Sequence, residues 1–488
     1  MDVIKYKSPE EVGVSTESIK KYIAHLERSG LSTHSLIIMR GNDVILEKYW
    51  KPFDRDFLHR MYSVSKSFVA LGVGFLVEEG RISLDDPISK YFPKECESVT
   101  DEHIRMQTVR QMMNMSSALP KGAVSWFKTS PDDRVLDYFT NNKGSLYPPG
   151  TIYTYDSTGS FVVGALVERV TGKRFMDYLY EKMLKKLGVE GAYALTCPGG
   201  HSWMDSAVMM RPIDLAKCAR FVLNGGSWDG EELLSQEYIR EATSALSYNS
   251  NFGFTNFDNL GYGYLIWRTR HNSFFFNGMG CQLAVCCPER DMILVYNGDN
   301  QGNAAAKNVI IDGFFDIIYE NALDEPLPKY SGDPIPELSL FAIGGEADSP
   351  IREKINGKRY ILSENSMGIS ELTVRFSSDS GELEYVNASG RKVIPFGILK
   401  NEFFDFPEGG YSLDVGSKPA PGNKYRAAAS GAFVNDHQLA IRVQIIDKYF
   451  GNLGIIFGFV GDEIGVHMEK NAENFLINYQ GYAKGRLA

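Results

Sequence analysis

Apolar positions in VSTESIKKYIAHLERSG, residues 14–30, recur about every 3.6 residues behind a Ser/Thr cap and stop at a glycine, which predicts an opening helix. HSLIIMRGNDVILEKYW, residues 34–50, switches to two strands around a Gly-Asn-Asp turn. From about Ser63 to Asn224 the patterning is helical, broken by Pro/Gly loops such as YPPGTIY and CPGGHSW. Strand signals return in GYGYLIWRTR, HNSFFFNGMG, QLAVCCPE and RDMILVYNGD, and NAAAKNVIIDGFFDIIYENAL is strongly amphipathic at helical spacing. This order predicts an α+β fold, with an antiparallel sheet flanked by helices and closed by sequentially distant elements. A helical subdomain over about 80–225 stands beside the sheet, with a cleft between them.

The Pro-rich DEPLPKYSGDPIPEL has few apolar anchors and reads as a linker, placed at 326–348. Beyond it KRYILSEN, ELTVRFSS, GELEYVNAS, RKVIPFGI, EFFDFPEG, QLAIRVQII, NLGIIFGFVGDEIGVHME and NFLINYQGY have the spacing of an antiparallel all-β barrel or sandwich. The expected domains are therefore 1–325 and 349–488. One hydrophobic core rarely organises a chain of 488 residues, which agrees with such a division.

Composition narrows the function classes. With 43% apolar, 12% aromatic and 23% charged residues there is ample material for a packed interior. A formal charge of -10 argues against nucleic acid or an anionic membrane surface as partner. The longest apolar runs, such as FVALGVGFLV, fall short of the ~20 residues of a membrane span. The opening residues carry scattered charges and no apolar run of signal-peptide length, so no export signal is expected. Cys96, Cys197, Cys218, Cys281, Cys286 and Cys287 show no metal-ligand spacing and read as reduced structural thiols, which fits a cytoplasmic setting.

The chemistry enters with Ser-x-x-Lys, which places a hydroxyl and an amine on one helix face. The pattern occurs at Ser18/Lys21, Ser63/Lys66, Ser125/Lys128 and Ser389/Lys392, so context must choose. Ser18/Lys21 lies on the amphipathic opening helix, Ser389/Lys392 spans a turn, and Ser125/Lys128 sits in an irregular segment. Only Ser63/Lys66 leads into a run, SFVALGVGFLV, that is apolar almost all round and must be buried. A lysine stripped of water there can serve as a neutral amine that accepts the serine proton. The simpler alternative is that Ser63 caps the helix while Lys66 snorkels to solvent.

Other segments resemble a known family in the expected order. SVSKSFVALGVGFLVEEGRISLDDPISKYFP is similar to the nucleophile segment of the serine β-lactamase and penicillin-recognising hydrolase superfamily, in particular class C β-lactamases, family VIII carboxylesterases and nylon-oligomer hydrolases. SPEEVGVSTESI, TVRQMMNMSSAL, PPGTIYTYDSTGSFVVGALVERVTGKRFMDYL and MMRPIDLAKCARFVLNGGSWDGEEL match further landmarks, so the resemblance covers about residues 8–320. It implies Ser63 as nucleophile, Lys66 as its activating base or hydrogen-bond partner, and Tyr155 as proton shuttle. Ser157, from the Tyr-x-Asn/Ser motif, would hold Lys66 or a substrate carbonyl.

The family's third motif, Lys-Thr-Gly or His-x-Gly, aligns with Phe276-Asn277-Gly278. By the resemblance, Gly278 allows close backbone approach, and the N–H groups of Met279 and Ser63 form an oxyanion hole. The following GCQ is nearest to the Gly-Gly-Gln form of nylon-oligomer hydrolases. Phe276 supplies neither charge nor hydrogen bond to a substrate carboxylate, and nothing in the sequence places Arg268, Arg270 or His271 to substitute. The expectation is weak β-lactam turnover and better activity on small neutral esters or amides, without metal or organic cofactor. Two alternatives stand beside it: a peptidase for D-amino-acid or cell-wall peptides, and a non-catalytic binder or sensor that keeps the fold. Trp126, Trp203 and Trp267 are candidates for the pocket wall, and homo-oligomerisation stays open.

Overall fold

The computed structural model describes residues 3–119, 133–249, 260–411, 419–420, 422–472 and 478–488. Two compact units divide them. The described residues up to Asn300, with Ala305–Ser339, form the first; Gln301–Ala304 and the described residues from Leu340 onward form the second. Among the described residues no helix is long and apolar enough to cross a membrane.

The first unit opens with α1 (Thr16–Arg28), capped by Ser15, whose side chain accepts from the Glu17 amide. Strands β1 (Thr33–Arg40) and β2 (Asp43–Lys51) follow, then α2 (Val64–Glu78), α3 (Ser157–Thr171) and α4 (Pro212–Leu223). The chain returns to the sheet as β3 (Trp267–Arg268), β4 (Phe274–Gly278), β5 (Gln282–Cys287) and β6 (Met292–Gly298), and closes with α5 (Ala306–Gly313). The sheet order is Lys5–Tyr6, β2, β1, β6, β5, β4, β3. Neighbours are antiparallel except at the edge, where Lys5–Tyr6 and Leu338–Ser339 both pair parallel with β2. Both faces are covered, which is why β5 and β6 are buried at every position, adjacent Cys286 and Cys287 included.

Tyr22, Ile23 and Leu26 of α1 and Ile310 and Ile311 of α5 share one core with Leu36, Ile38, Leu283, Val285 and Leu294. On the other face α4 packs on β1, β5 and β6, while α2 lies between β4 and α3. An apolar sequence almost all round is thus what the position of α2 requires, and Val64 through Leu76 are all buried. The Pro-rich stretch read as a linker runs along this unit as far as Ser339: the Leu327 amide donates to the Glu10 carbonyl at 2.8 Å, and Leu338 pairs with Trp50.

The second unit is a closed nine-stranded barrel. Its strands are β7 (Arg359–Leu362), β8 (Glu371–Phe376), β9 (Ser380–Asn387), β10 (Gly390–Ile398), β11 (Arg426–Asn435), β12 (Gln438–Ile446), β13 (Phe450–Val460), β14 (Glu463–Ala472) and β15 (Gly481–Leu487). Consecutive strands pair antiparallel, and β15 returns antiparallel to β7, except that β10 meets β11 parallel at Gly397↔Ser430 and Ile398↔Gly431. An odd-numbered closed meander must contain such a pair, since strict alternation of direction cannot return to its start; the expected antiparallel all-β barrel is present, with this one seam parallel. Period-2 patterning fills the interior: on β13, Leu453, Ile455, Phe457 and Phe459 are buried while Ile456 and Val460 are exposed. The predicted strand in NFLINYQGY lies partly outside the described residues, and β15 begins at Gly481.

Candidate active site

The turn into α2 is strained. Tyr62 has φ 47°, a conformation that bulky residues rarely adopt, and the Arg60 guanidinium lies 4.5 Å over its ring. Ser63 follows at the helix mouth and makes no capping bond. Its Oγ instead accepts from Lys66 Nζ at 2.9 Å. Lys66 is only 1% exposed, so it does not snorkel. Its second partner is the carbonyl of Asp205 at 2.6 Å. Ser157, the first residue of α3, makes no hydrogen bond to it.

Distant segments are brought here by a small ribbon. His59–Arg60 pairs with Val208–Met210, the Met61 amide donates to the Val208 carbonyl at 2.8 Å, and the Val208 amide donates to Ser65 Oγ at 3.0 Å. Asp205 is thereby fixed beside Lys66. The segment before α3 is held by the Met115 carbonyl, which accepts from the Thr154 amide at 2.7 Å. This places the Tyr155 ring 5.2 Å from Lys66 Nζ and 5.6 Å from the Trp267 ring.

On the sheet side Gly278 ends β4 against the nucleophile turn, and a Cβ there would stand 2.3 Å from the Met61 carbonyl oxygen. Only glycine permits that approach. Phe276 is fully buried, Asn277 is half-buried, and the Met279 side chain is exposed. Among the described residues the backbone N–H groups of Ser63 and Met279 donate to nothing. Arg268 donates to the Thr243 carbonyl at 3.0 Å, Arg270 pairs with Asp312 and Asp316, and His271 pairs with Glu320.

Beneath the site lies a group of buried charges that the sequence reading did not find. Asp205 is fully buried, neither carboxylate oxygen accepts a hydrogen bond, and Arg134 Nη1 stands 4.0 Å from Oδ1. Loss of solvation pushes the Asp205 carboxyl up, opposed by the charges of Arg134, Lys66 and Arg60. Asp156 is likewise pushed up to about 6 by desolvation, against the Gly159 amide, the Ser117 hydroxyl, the Thr158 amide and the Lys66 charge. Trp203 is part of this floor, 4.9 Å from the Arg60 guanidinium, whereas Trp267 neighbours Tyr155 directly. Trp126 and the Ser125/Lys128 pair lie outside the described residues. The available signal for Asp205 was the single charged residue inside SWMDSAVMM.

Comparison with known proteins gives a family and a fold. A family model described as Beta-lactamase matches residues 19–310. The chain is 26% identical over 293 residues to a 6-aminohexanoate-dimer hydrolase of Paenarthrobacter ureafaciens, covering 56% of this chain and 74% of that one. Among solved structures, an octameric penicillin-binding protein homologue from Pyrococcus abyssi superposes with a TM-score of 0.51 at 17% identity, covering 96% of this chain and 99% of its own. A family VIII carboxylesterase superposes with a TM-score of 0.50 at 15% identity, covering 64% of this chain and 98% of its own.

Proposed function

The chain belongs to the beta-lactamase family, and from that membership and the site geometry we propose a serine hydrolase that works through an acyl-enzyme on small neutral esters or amides. The observation that carries this reading is the Lys66 amine, buried and 2.9 Å from the Ser63 hydroxyl. Ser63 Oγ attacks the substrate carbonyl while its proton passes to Lys66. The oxyanion meets the N–H groups of Ser63 and Met279, both without an internal partner. Collapse of the tetrahedral adduct breaks the bond to the leaving group, which takes a proton from the Tyr155 hydroxyl as Lys66 returns the Ser63 proton to that oxygen. Water then adds to the ester of Ser63, gives its proton back through the same pair, and releases the acid. Ser157, two residues beyond Tyr155 at the start of α3, would offer its hydroxyl to a substrate carbonyl.

Neutral substrates are favoured because Phe276 is buried where the family has a polar residue, while Arg268, Arg270 and His271 are occupied elsewhere. Ester and amide cleavage are both supported by relatives, a carboxylesterase and a dimer hydrolase. The octamer recorded for the Pyrococcus abyssi homologue supports a homo-oligomer, and six buried free thiols support a reducing, cytoplasmic setting.

A fluorophosphonate probe is expected to label the wild type and not Ser63→Ala, which also loses p-nitrophenyl ester hydrolysis. Equal labelling of both proteins refutes the assignment. Nitrocefin turnover at the ester rate would overturn the substrate class, and faster cleavage of D-alanyl-D-alanine peptides would favour the peptidase reading.

A further inference from the structure

Gln282 opens β5 directly opposite Gly278 and is fully buried. All four hydrogen-bonding positions of its amide are used. Nε2 donates to the carbonyls of Met279 at 3.0 Å and Gly298 at 2.6 Å; Oε1 accepts from Asn297 Nδ2 at 3.1 Å and the Gly298 amide at 3.4 Å. Asn297 Oδ1 accepts in turn from Ser35 Oγ at 3.0 Å, and the pairing of β6 with β1 shifts register at Asn297/Gly298. A continuous polar relay thus runs from the middle of the sheet to Met279.

Met279 needs such a restraint. It sits between Gly278 and Gly280, which have no side chains to pack, and its own side chain is exposed. The turn passes through φ 76° at Gly280 and 71° at Cys281, and the Gly280 carbonyl is held separately by the Asn300 amide at 3.1 Å. The backbone pairing of Gly278 with Gln282 would close this hairpin whatever side chain stood at 282. What the amide adds lies outside that pair: it fastens the carbonyl of the residue whose N–H is left without a partner.

Resting on the hydrolase reading above, we propose that Gln282 is a positioning residue for the oxyanion-binding amide. By holding the Met279 carbonyl it fixes the peptide plane that follows that residue, while the Cys281 amide holds the Gly278 carbonyl, in the same plane as the Met279 N–H, at 3.2 Å; with both ends of the residue pinned, the N–H is aimed at the carbonyl oxygen of the acyl group on Ser63. Gln282 touches no reacting atom. Its effect should therefore appear in the transition state and leave ground-state binding nearly untouched.

Gln282→Met keeps the length of the side chain and removes every polar contact. It is expected to lower kcat on p-nitrophenyl acetate by about 10²-fold with KM within about threefold of wild type, the scale of losing one oxyanion donor. The discriminating readout is the rate ratio between that ester and its thionoester, whose sulfur is a poor match for aimed N–H donors: the ratio should collapse in Gln282→Met. An unchanged kcat, or a loss with the ratio preserved, overturns the proposal. Should the variant not fold, a phosphonate adduct of the wild type decides, because the phosphonyl oxygen should lie ~3 Å from the Met279 nitrogen. An adduct on Ser63 with that oxygen turned elsewhere rejects Met279 as oxyanion donor and the role of Gln282 with it, and leaves Ser63 as the nucleophile. A chain that takes up no phosphonate on Ser63 removes the hydrolase reading, and this inference with it.

Discussion

In the first unit Arg60, Lys66, Arg134 and Asp205 are all buried, whereas the buried polar side chains described in the barrel are Thr373, Ser430, Gln444 and Asn452, none of them charged. The barrel meets the cost of desolvating polar groups by keeping them at its periphery: Glu408 accepts from Tyr385 at 3.1 Å, Asn387 at 3.0 Å and Tyr479, and is partly solvated. The first unit accepts that cost, gathering charges on the side of α2 where Ser63 and Lys66 stand. Among the described residues buried ionisable carboxylates and basic groups are thus confined to the first unit, beside Lys66 and also at Glu10, Asp214, Arg220 and Asp299, and the barrel interior does without them.

The largest test of that contrast removes one amine from each unit. Lys66→Met should reduce kcat/KM on p-nitrophenyl esters by ~10³-fold, within the range of general-base catalysis, while Lys392→Met on the barrel leaves it unchanged. Equal effects would erase the distinction. A second pair adds a methyl group to each unit. Gly278→Ala drives Cβ to 2.3 Å from the Met61 oxygen and should cost about 10²-fold in kcat by pushing β4 off the nucleophile turn, whereas Gly458→Ala on the barrel meets nothing within 4 Å and should be silent.

A third and smaller effect is set by pH. His34 and His59 are fully buried, with Nδ1 of one 2.9 Å from Nε2 of the other. Desolvation lowers both, His34 well below its ordinary value and His59 to about 3. A histidine depressed in the folded state contributes its full stability above its unfolded value of 6.5, and the contribution fades as pH falls from there toward the folded value. Described histidines of the barrel, His437 and His467, are not buried. Amide exchange, corrected for intrinsic rate, should thus show β1 and β2 losing protection between pH 7 and 5 while β12 and β13 keep theirs. Loss of protection in both units together would oppose this assignment of the acid sensitivity.

Legibility in the sequence followed the range of each interaction. α1, α2 and most barrel strands were visible because periodicity is local, and the choice of Ser63/Lys66 among four similar pairs followed from the apolar run behind it. Asp205 was not visible, because its carbonyl reaches Lys66 across 139 positions and any residue type can supply a carbonyl. Gln282 was noticed only as part of a motif; its partners at 279, 297 and 298 become neighbours once two hairpins are formed. The parallel seam of the barrel was likewise hidden, since strand patterning does not state how many strands close a ring.

That seam limits how such a barrel can change size. Duplicating or deleting a hairpin alters the tally by two, so an odd ring stays odd and always needs a segment that carries the chain from the end of one strand to the start of a neighbour running the same way. Here that duty falls to the stretch between Ile398 and Arg426. Glu408 and the buried Phe406 of that stretch serve the barrel as well, but the existence of the stretch is a matter of arithmetic.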